Sequence, residues 1–170
     1  MKGRVLTQER LRNILNYNQG TGIFMRLVDR RGGRWKAGAR AGCHDKFHHC
    51  RVLRIDGRCY LEHRVVWLYV HGRWPTLEID HINGDGTDNR LCNLREATHQ
   101  QNMRNMKKHK DNTSGFKGVY FNKKTGKWVT QIAIASRQTY VGSFDTPESA
   151  HTEYCRVATA NFGKFANFGV

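Results

Sequence analysis

Residues 78–102, EIDHINGDGTDNRLCNLREATHQQN, decide the fold of this chain. This polar stretch follows the apolar run RVVWLYVHGRW and suits a surface turn, a calcium loop or a catalytic metal site. A calcium loop needs an oxygen ligand at its first position and a glutamate at its twelfth. In a loop counted from His81 these positions hold His81 and Cys92, so calcium is excluded. The NGDG run predicts a turn, because Asn and Gly accept positive φ angles, but a turn leaves the polar flanks unexplained.

The composition points to a polyanionic partner. The 170 residues include 29 Lys and Arg against 14 Asp and Glu, a formal net charge of +15. Such a charge is typical of proteins that bind nucleic acids. The excess lies mostly in residues 1–79, whereas residues 80–114 are close to neutral, as expected if acidic residues there hold a cation.

The sequence also predicts where the protein works. No apolar run approaches the roughly 20 residues of a membrane span, and the N-terminus lacks the apolar region of a secretory signal. We therefore expect a cytoplasmic protein, in the host cytoplasm if a phage encodes it, that is neither secreted nor membrane-bound. The five cysteines are then expected to be reduced thiols.

A second candidate metal site lies in the run CHDKFHHC, residues 43–50. Cys43, His48, His49 and Cys50 are of the types that bind zinc. A structural zinc site normally uses two separated pairs of such ligands, and no second pair of suitable spacing follows. A basic hairpin loop is therefore the favoured interpretation, and structural zinc is the alternative.

Hydrophobic periodicity and capping residues predict an α+β fold. The predicted elements of the first part are a helix at 6–18 with Thr7 as N-cap, a strand at 23–28, a flexible basic loop outside the core at 29–42, strands at 51–56 and 58–63, a buried helix at 63–72, strands at 78–82 and 90–97, and a helix from Thr98 to about residue 110. After a polar linker, strands are predicted at 116–122, 127–135 and 138–144, and a helix at 146–161 with Thr146 as N-cap.

The flanks of the polar loop carry the groups that phosphodiester hydrolysis needs. The reaction requires a base that deprotonates water and a divalent cation that stabilises the developing charge. His81 suits the base, and Asp80 and Asn102 offer the carboxylate and amide oxygens that a hard cation prefers. Asn93 is expected to tie down the loop backbone and to hold the carbonyl or the ring of His81.

The pattern D-H-I-N-G-D-x-x-D-N-R-x-x-N-L-R-x-x-T-x-x-x-N, within residues 77–107, resembles the HNH nuclease motif. The flanking segments LTQERLRNILNYN and HRVVWLYVHGRWP resemble the phage and intron homing endonucleases that carry this motif. The resemblance implies a ββα-metal core in which Asp80 and Asn102 bind the metal, His81 is the general base and Asn93 braces the loop. It also implies Mg²⁺ as the cofactor, with Mn²⁺ able to replace it. Met106 stands where zinc-binding relatives carry a further histidine, so structural or tight zinc binding is not expected.

The last third resembles the plant APETALA/ethylene-response-factor DNA-binding domain, through GVY at 118–120, GKW at 126–128, YVGSFDT at 140–146 and the final NF at 167–168. The resemblance implies a small three-stranded antiparallel sheet that lies in the major groove and is backed by one helix. With the basic N-terminal loop, it predicts these DNA-binding residues: Arg30, Arg31, Arg34, Lys117, Tyr120, Asn122, Lys124, Lys127, Gln131, Gln138 and Tyr140. The plant domains carry arginines on this face, so their base preference is not carried over.

These observations predict a site-recognising, metal-dependent endonuclease of the homing type. Its expected partner is double-stranded DNA, with no small-molecule substrate, and one catalytic centre per chain favours a monomer. The predicted domains are a basic N-terminal α/β region at 1–76, an HNH core at 77–110, a linker at 111–115 and a DNA-binding domain at 116–170. The alternative is a non-catalytic DNA-binding regulator built on a degenerate HNH fold.

Overall fold

The computed structural model of the protein describes residues 5–29, 35–47, 49–108 and 110–169. The chain forms two compact units, Met1–Thr98 and His99–Val170. The predicted α+β class is confirmed, since each unit combines helices with small antiparallel sheets. The sequence predicts four segments with separate functions, and their boundaries do not coincide with the division after Thr98. That division into functional segments stays a prediction. Within the described ranges, no helix is long and apolar enough to cross a membrane.

The first unit begins with α1 (Gln8–Ile14), which is capped as predicted: the Thr7 hydroxyl accepts a hydrogen bond from the amide of Arg10 at 3.2 Å. The helix was predicted to reach residue 18, but the chain becomes extended and forms β1 (Leu15–Asn18), paired with β2 (Ile23–Arg26). In LNYN the apolar residues Leu15 and Tyr17 alternate with asparagines. A strand buries every second side chain, so this pattern suits a strand better than a helix.

A three-stranded antiparallel sheet follows, built from β3 (Cys43–Asp45), β4 (Cys50–Ile55) and β5 (Arg58–Leu61). It leads directly into α2 (Glu62–His71), so the predicted hairpin and the predicted helix are both confirmed. Gly72 ends α2 in the left-handed conformation, with φ 73°, and its amide bonds to the Leu68 carbonyl at 3.0 Å.

The segment predicted as a basic loop at 29–42 contributes to the core, which corrects the prediction. The amide of Ala41 donates to the Phe24 carbonyl at 2.7 Å, Ala41 is fully buried, and Met25 and Arg40 form an antiparallel bridge. The small residues of the run AGARAG let this backbone approach β2 closely. Residues 30–34 lie outside the described ranges.

The polar loop is the connection of a hairpin between β6 (Glu78–His81) and β7 (Leu94–Ala97). In this hairpin Asp80 stands opposite Arg95, and His81 opposite Leu94. The second strand was predicted from residue 90, but Leu91–Asn93 form a 3₁₀ turn before it. The turn arises where the Asn93 side chain bonds to the loop backbone.

One hydrophobic core joins most of these elements. Its buried members are Leu6, Leu11, Leu15, Tyr17, Phe24, Ala41, Leu53, Ile55, Val65, Val66, Leu68, Ile79 and Leu94. Ile79 in β6 and Leu94 in β7 tie the hairpin to this core. The N-terminal elements therefore position the polar loop.

The second unit begins with α3 (His99–Arg104), which is shorter than the predicted helix. At the end of this helix, side chains donate hydrogen bonds to the backbone carbonyls that the amides of a further helical turn would otherwise bind. Lys117 Nζ donates to the carbonyls of Arg104 at 2.9 Å and Met106 at 2.6 Å, and Asn167 Nδ2 donates to that of Asn105 at 2.9 Å. The predicted linker also has fixed contacts, since Ser114 Oγ donates to the Val119 carbonyl at 2.7 Å.

The predicted three strands and helix of the second unit are confirmed. β8 (Val119–Asn122), β9 (Lys127–Ile134) and β10 (Arg137–Phe144) form an antiparallel sheet in the order β10–β9–β8. The helix α4 (Pro147–Phe162) is capped by Thr146 and packs on one face, where the Thr130 hydroxyl donates to the Ala150 carbonyl at 2.7 Å. A 3₁₀ turn, Gly163–Phe165, follows.

Candidate active site

Asn93 braces the polar loop, as the sequence predicts. Its side-chain oxygen accepts a hydrogen bond from the Asn83 amide at 3.0 Å, and its Nδ2 donates to Asn83 Oδ1 at 3.0 Å and to the Asp88 carbonyl at 2.8 Å. Asn93 is buried, so these bonds are shielded from water. One side chain thus joins both halves of the loop.

His81 is the last residue of β6 and is nearly buried. Its carbonyl accepts a hydrogen bond from the Gly84 amide at 2.8 Å, and its ring nitrogen Nε2 lies 3.0 Å from Asn89 Oδ1. The contacts expected from Asn93 are therefore made by Gly84 and Asn89. Asn89 is only 1% exposed and was missed by the sequence analysis, although it stands in the D-N-R part of the motif.

The β1–β2 hairpin holds the backbone of Asn89. The Tyr17 hydroxyl donates to the Asn89 carbonyl at 2.7 Å, and burial raises the pKa of Tyr17, which keeps this donor protonated. Gly22, with φ +70°, lies against the backbone of Asn89 and Arg90. A Cβ on Gly22 would be 2.4 Å from the Arg90 nitrogen and 2.5 Å from the Asn89 carbonyl carbon. The spacing leaves room for glycine alone.

Asp80 precedes His81 and forms a buried ion pair with Arg95 from the opposite strand. The Arg95 guanidinium lies 2.7 Å from Asp80 Oδ2, and the two side chains are 13% and 4% exposed. The sequence analysis did not assign a role to Arg95. Its position in the N-L-R part of the motif and directly across from Asp80 makes it part of the site.

A second histidine flanks His81. His63, near the start of α2, lies edge-on to it, with the ring centres 5.0 Å apart. Burial, followed by the charges of His81 and Arg64, lowers the pKa of His63 to about 3. His63 is therefore neutral near pH 7 and adds no positive charge beside His81.

The structure brings Asp80, His81 and Asn93 together in the first unit, whereas Asn102 lies on α3 in the second unit. The pairing of Asn102 with Asp80 stays a prediction. Within the described residues, no group of three or more His, Cys, Asp or Glu side chains is arranged to hold a metal ion. The Asp80 carboxylate fits a hard cation by its chemistry, since carboxylate oxygens are ligands that such cations prefer.

The residues predicted to read DNA bases lie on the second unit, and strand pairing places them on one face of the sheet. Tyr140 pairs with Gln131, and Gln138 with Ala133, on the face opposite α4. Gln131 Nε2 donates to the Tyr120 hydroxyl at 3.3 Å. Asn122, paired with Lys127, completes this row.

The predicted phosphate-binding residues differ from one another in their surroundings. Lys124 and Lys127 are exposed, and Lys127 lies 3.2 Å from Asp145. Lys117 instead points to the carbonyls that follow α3, and burial lowers its pKa to about 8. Arg30, Arg31 and Arg34 lie outside the described residues, and their role stays a prediction.

Comparisons with known proteins identify the family of this part of the chain. Residues 60–104, from β5 to α3, match the family model described as HNH endonuclease. This part of the chain is an HNH endonuclease domain. The chain is also 36% identical over 107 residues to "Protein 3.8" of Escherichia phage T7, a match that covers 62% of this chain and 88% of the phage protein. It belongs to the same family as that phage protein. No solved structure matches the chain.

Proposed function

We propose that the protein is a metal-dependent endonuclease that hydrolyses phosphodiester bonds in double-stranded DNA, with His81 as the general base. One observation carries the proposal: the HNH match covers the hairpin in which Asp80 and His81 are adjacent and Asn89 holds the His81 ring at 3.0 Å. An imidazole fixed at one nitrogen can present its other nitrogen to a water molecule in a defined direction.

In the proposed reaction, His81 accepts a proton from water, and the water oxygen forms a bond to phosphorus. The bond from phosphorus to one ester oxygen breaks, and that oxygen is finally protonated from solvent. His63 is neutral beside His81, so it does not oppose the positive charge that His81 acquires. Proton transfer by a positioned side chain contributes about 10²–10⁴-fold to a rate.

Asp80 and Asn102 are the proposed ligands of a divalent cation, Mg²⁺ with Mn²⁺ as a substitute. When bound, the cation supplies charge stabilisation at the phosphoryl and leaving oxygens. A cation that keeps several waters needs few protein oxygens, so one carboxylate and one amide are enough. The Arg95 guanidinium also contacts the Asp80 carboxylate, at 2.7 Å.

The second unit is the proposed reader of DNA sequence, which makes the enzyme site-recognising and of the homing type. Amide and aromatic side chains on the sheet face opposite α4 suit contacts to base edges. The net charge of +15 supplies the attraction to phosphates. With one catalytic centre per chain, we propose that a monomer cuts one strand at a time.

Cleavage of supercoiled plasmid with Mg²⁺, with Mn²⁺ and with EDTA tests the proposal. The wild-type protein should cut only with a divalent cation, and His81→Ala should retain at most a few per cent of the rate while binding DNA normally, since the lost proton transfer is worth about 10²–10⁴-fold. His44→Ala, at an exposed position of β3, is the matched control and should cut normally. DNA binding without cleavage under all conditions would instead identify a non-catalytic regulator.

A further inference from the structure

The side chain of Asn89 lies between the proposed base and a buried carboxylate. Its Oδ1 is 3.0 Å from His81 Nε2, and its amide lies on the side of Glu62, the first residue of α2. Glu62 is fully buried and Asn89 nearly so. The proposed reaction assigns no role to Glu62, although burying a carboxylate is costly unless it is paired and hydrogen-bonded.

Glu62 has one oxygen paired and one oxygen without a partner. Arg51 Nε donates to Glu62 Oε2 at 3.0 Å, whereas Glu62 Oε1 and Asn89 Nδ2 are both buried and neither makes a hydrogen bond of ordinary geometry. Burial raises the pKa of Glu62, while the Arg51 guanidinium and, more weakly, the Asn89 amide favour the charged form. A small movement that joins Oε1 to Nδ2 would satisfy both atoms, which are costly to leave unpaired.

The carboxylate decides which way the Asn89 amide points. Glu62 accepts from the Arg51 guanidinium at 3.0 Å, and a carboxylate paired in this way only accepts hydrogen bonds, so the NH₂ group of Asn89 faces Glu62. Its oxygen then faces His81, and an oxygen only accepts, so His81 Nε2 must carry a hydrogen. In a neutral imidazole with Nε2 protonated, the lone pair lies on Nδ1.

We propose that Glu62 and Asn89 are positioning residues that hold His81 in the Nε2–H tautomer, so that Nδ1 is the atom that accepts the proton from water. This inference rests on the proposed function for the role of Nδ1, but the tautomer itself does not. Two parts of the first unit outside the β6–β7 hairpin maintain the arrangement. Arg51 in β4 holds the carboxylate, and the β1–β2 hairpin holds the Asn89 backbone through Tyr17 and Gly22.

Nitrogen NMR of the full-length protein with ¹⁵N-labelled histidine tests the tautomer directly. The measurement is made at about pH 8.5, where an ordinary imidazole is neutral, and the His81 signals are those lost in His81→Gln. In the wild-type protein the spectrum should show that the neutral His81 ring carries its hydrogen on Nε2. Finding Nδ1–H in the wild-type ring would overturn the proposal, whatever the variants do.

Two variants test the cause. Asn89→Leu keeps the side-chain shape without an acceptor, and Glu62→Gln removes the group that orients the amide; both should give a mixture of tautomers. Each should lower kcat at least about 10-fold, as a part of the roughly 10²–10⁴-fold that proton transfer by a positioned side chain contributes, with little change in KM for DNA. Asn16→Leu, at an exposed position of β1, is the control and should change neither quantity. A pure Nε2–H ring and normal kcat in folded Asn89→Leu would refute the positioning role.

The same data separate this inference from the proposed function. A wild-type protein with an Nε2–H ring that cleaves no DNA contradicts the nuclease proposal and leaves the role of Glu62 and Asn89 in setting the tautomer intact. A protein that cleaves DNA with an Nδ1–H ring contradicts the role of Glu62 and Asn89 and leaves the nuclease proposal intact.

Discussion

The guanidinium of Arg95 lies 2.7 Å from the carboxylate of Asp80, directly across the β6–β7 hairpin. Both side chains are largely buried. Removing one partner of a buried ion pair leaves an uncompensated charge and usually costs several kcal/mol, about 3–5. In the proposed enzyme a divalent cation would share Asp80 with Arg95 and could take over part of this compensation.

Arg95→Gln is therefore expected to lower the free energy of unfolding by on the order of 3 kcal/mol without metal. Saturating Mg²⁺ or Mn²⁺ should restore part of this loss, and the metal-induced gain should exceed that of the wild type, because the cation then no longer competes with the Arg95 guanidinium for Asp80. Urea unfolding with and without metal measures both effects. Arg73→Gln, which breaks the more exposed pair with Glu96, is the control. An equal response to metal in both variants would contradict metal binding at Asp80.

Gly22 is expected to be irreplaceable because of what it touches. Gly22→Ala would place a Cβ 2.4 Å from the Arg90 nitrogen, so the backbone that carries Asn89 must move. Gly57→Ala is a matched control, since Gly57 also has a positive φ, +83°, but faces open space. The control should lose about 1–2 kcal/mol of stability from backbone strain alone. Gly22→Ala should lose clearly more stability, and also cleavage activity; equal losses in thermal unfolding and cleavage assays would show that the close contact is unimportant.

Much of this architecture follows from local rules. The strands and helix of the second unit were predictable because turns at KKTG and SR separate alternating runs, and because Thr146 and Pro147 begin a helix. The HNH domain was predictable because the spacing of Asp80 and His81 to Asn93 and Asn102 is typical of one motif, whereas the roles of these residues stay predictions.

The remaining features depend on contacts between distant parts of the chain. The backbone of Asn89 is held by the hydroxyl of Tyr17, 72 positions away in the sequence, and lies against Gly22. Lys117 and Asn167 bind carbonyls at the end of α3, and the amide of Ala41 bonds to the Phe24 carbonyl. None of these contacts leaves a periodic pattern, so local periodicity could not reveal them.

The polar loop is expected to weaken in acid through Asp88. Its side chain bonds to Arg90 at 2.6 Å and accepts from Asn83 Nδ2 at 2.8 Å, and the Arg90 bond is the main reason that its pKa is lowered to about 2. A carboxylate with a depressed folded-state pKa stabilises the fold above its unfolded pKa, about 3.9 for Asp, and loses that effect as the pH falls through the folded value.

Stability should therefore decrease between about pH 4 and pH 2 through this group, and Asp88→Asn should remove that part of the decrease. Urea unfolding at several pH values in this window measures the slope. Glu9→Gln, at an exposed position of α1, serves as the control variant. A slope unchanged in Asp88→Asn would show that the contacts of Asp88 do not contribute.

The basic loop supplies a prediction about salt. If Arg30, Arg31 and Arg34 contact phosphates, DNA binding should weaken steeply with salt, with a log–log slope of about −0.9 for each phosphate contacted. Replacing all three by Glu should make the slope less negative by about 0.9 per lost contact. Fluorescence anisotropy across a salt series measures this. A wild-type slope near zero, or an unchanged slope in the triple variant, would exclude phosphate binding by the loop.

The last prediction concerns the sheet face of the second unit. Deleting residues 111–170 would not separate recognition from chemistry cleanly, because Lys117 and Asn167 bind the carbonyls that follow α3, the helix that carries Asn102. Point substitutions avoid this problem. Gln131 and Gln138 lie on the face opposite α4, so replacing both by Ala should leave the fold and the catalytic hairpin intact.

Gln131→Ala/Gln138→Ala should cut DNA at a normal maximal rate but with less site preference, because an amide that bonds to a base edge contributes about 1–3 kcal/mol of discrimination. Cleavage sites are mapped by sequencing the ends produced from a long duplex of random sequence. Asn161→Ala is the matched control, since this exposed amide on α4 bonds to the Val157 carbonyl at 2.8 Å within its own helix. It should keep the wild-type pattern. If the glutamine variant also kept that pattern, the sheet would not be the reader, and sequence recognition would have to come from the first unit.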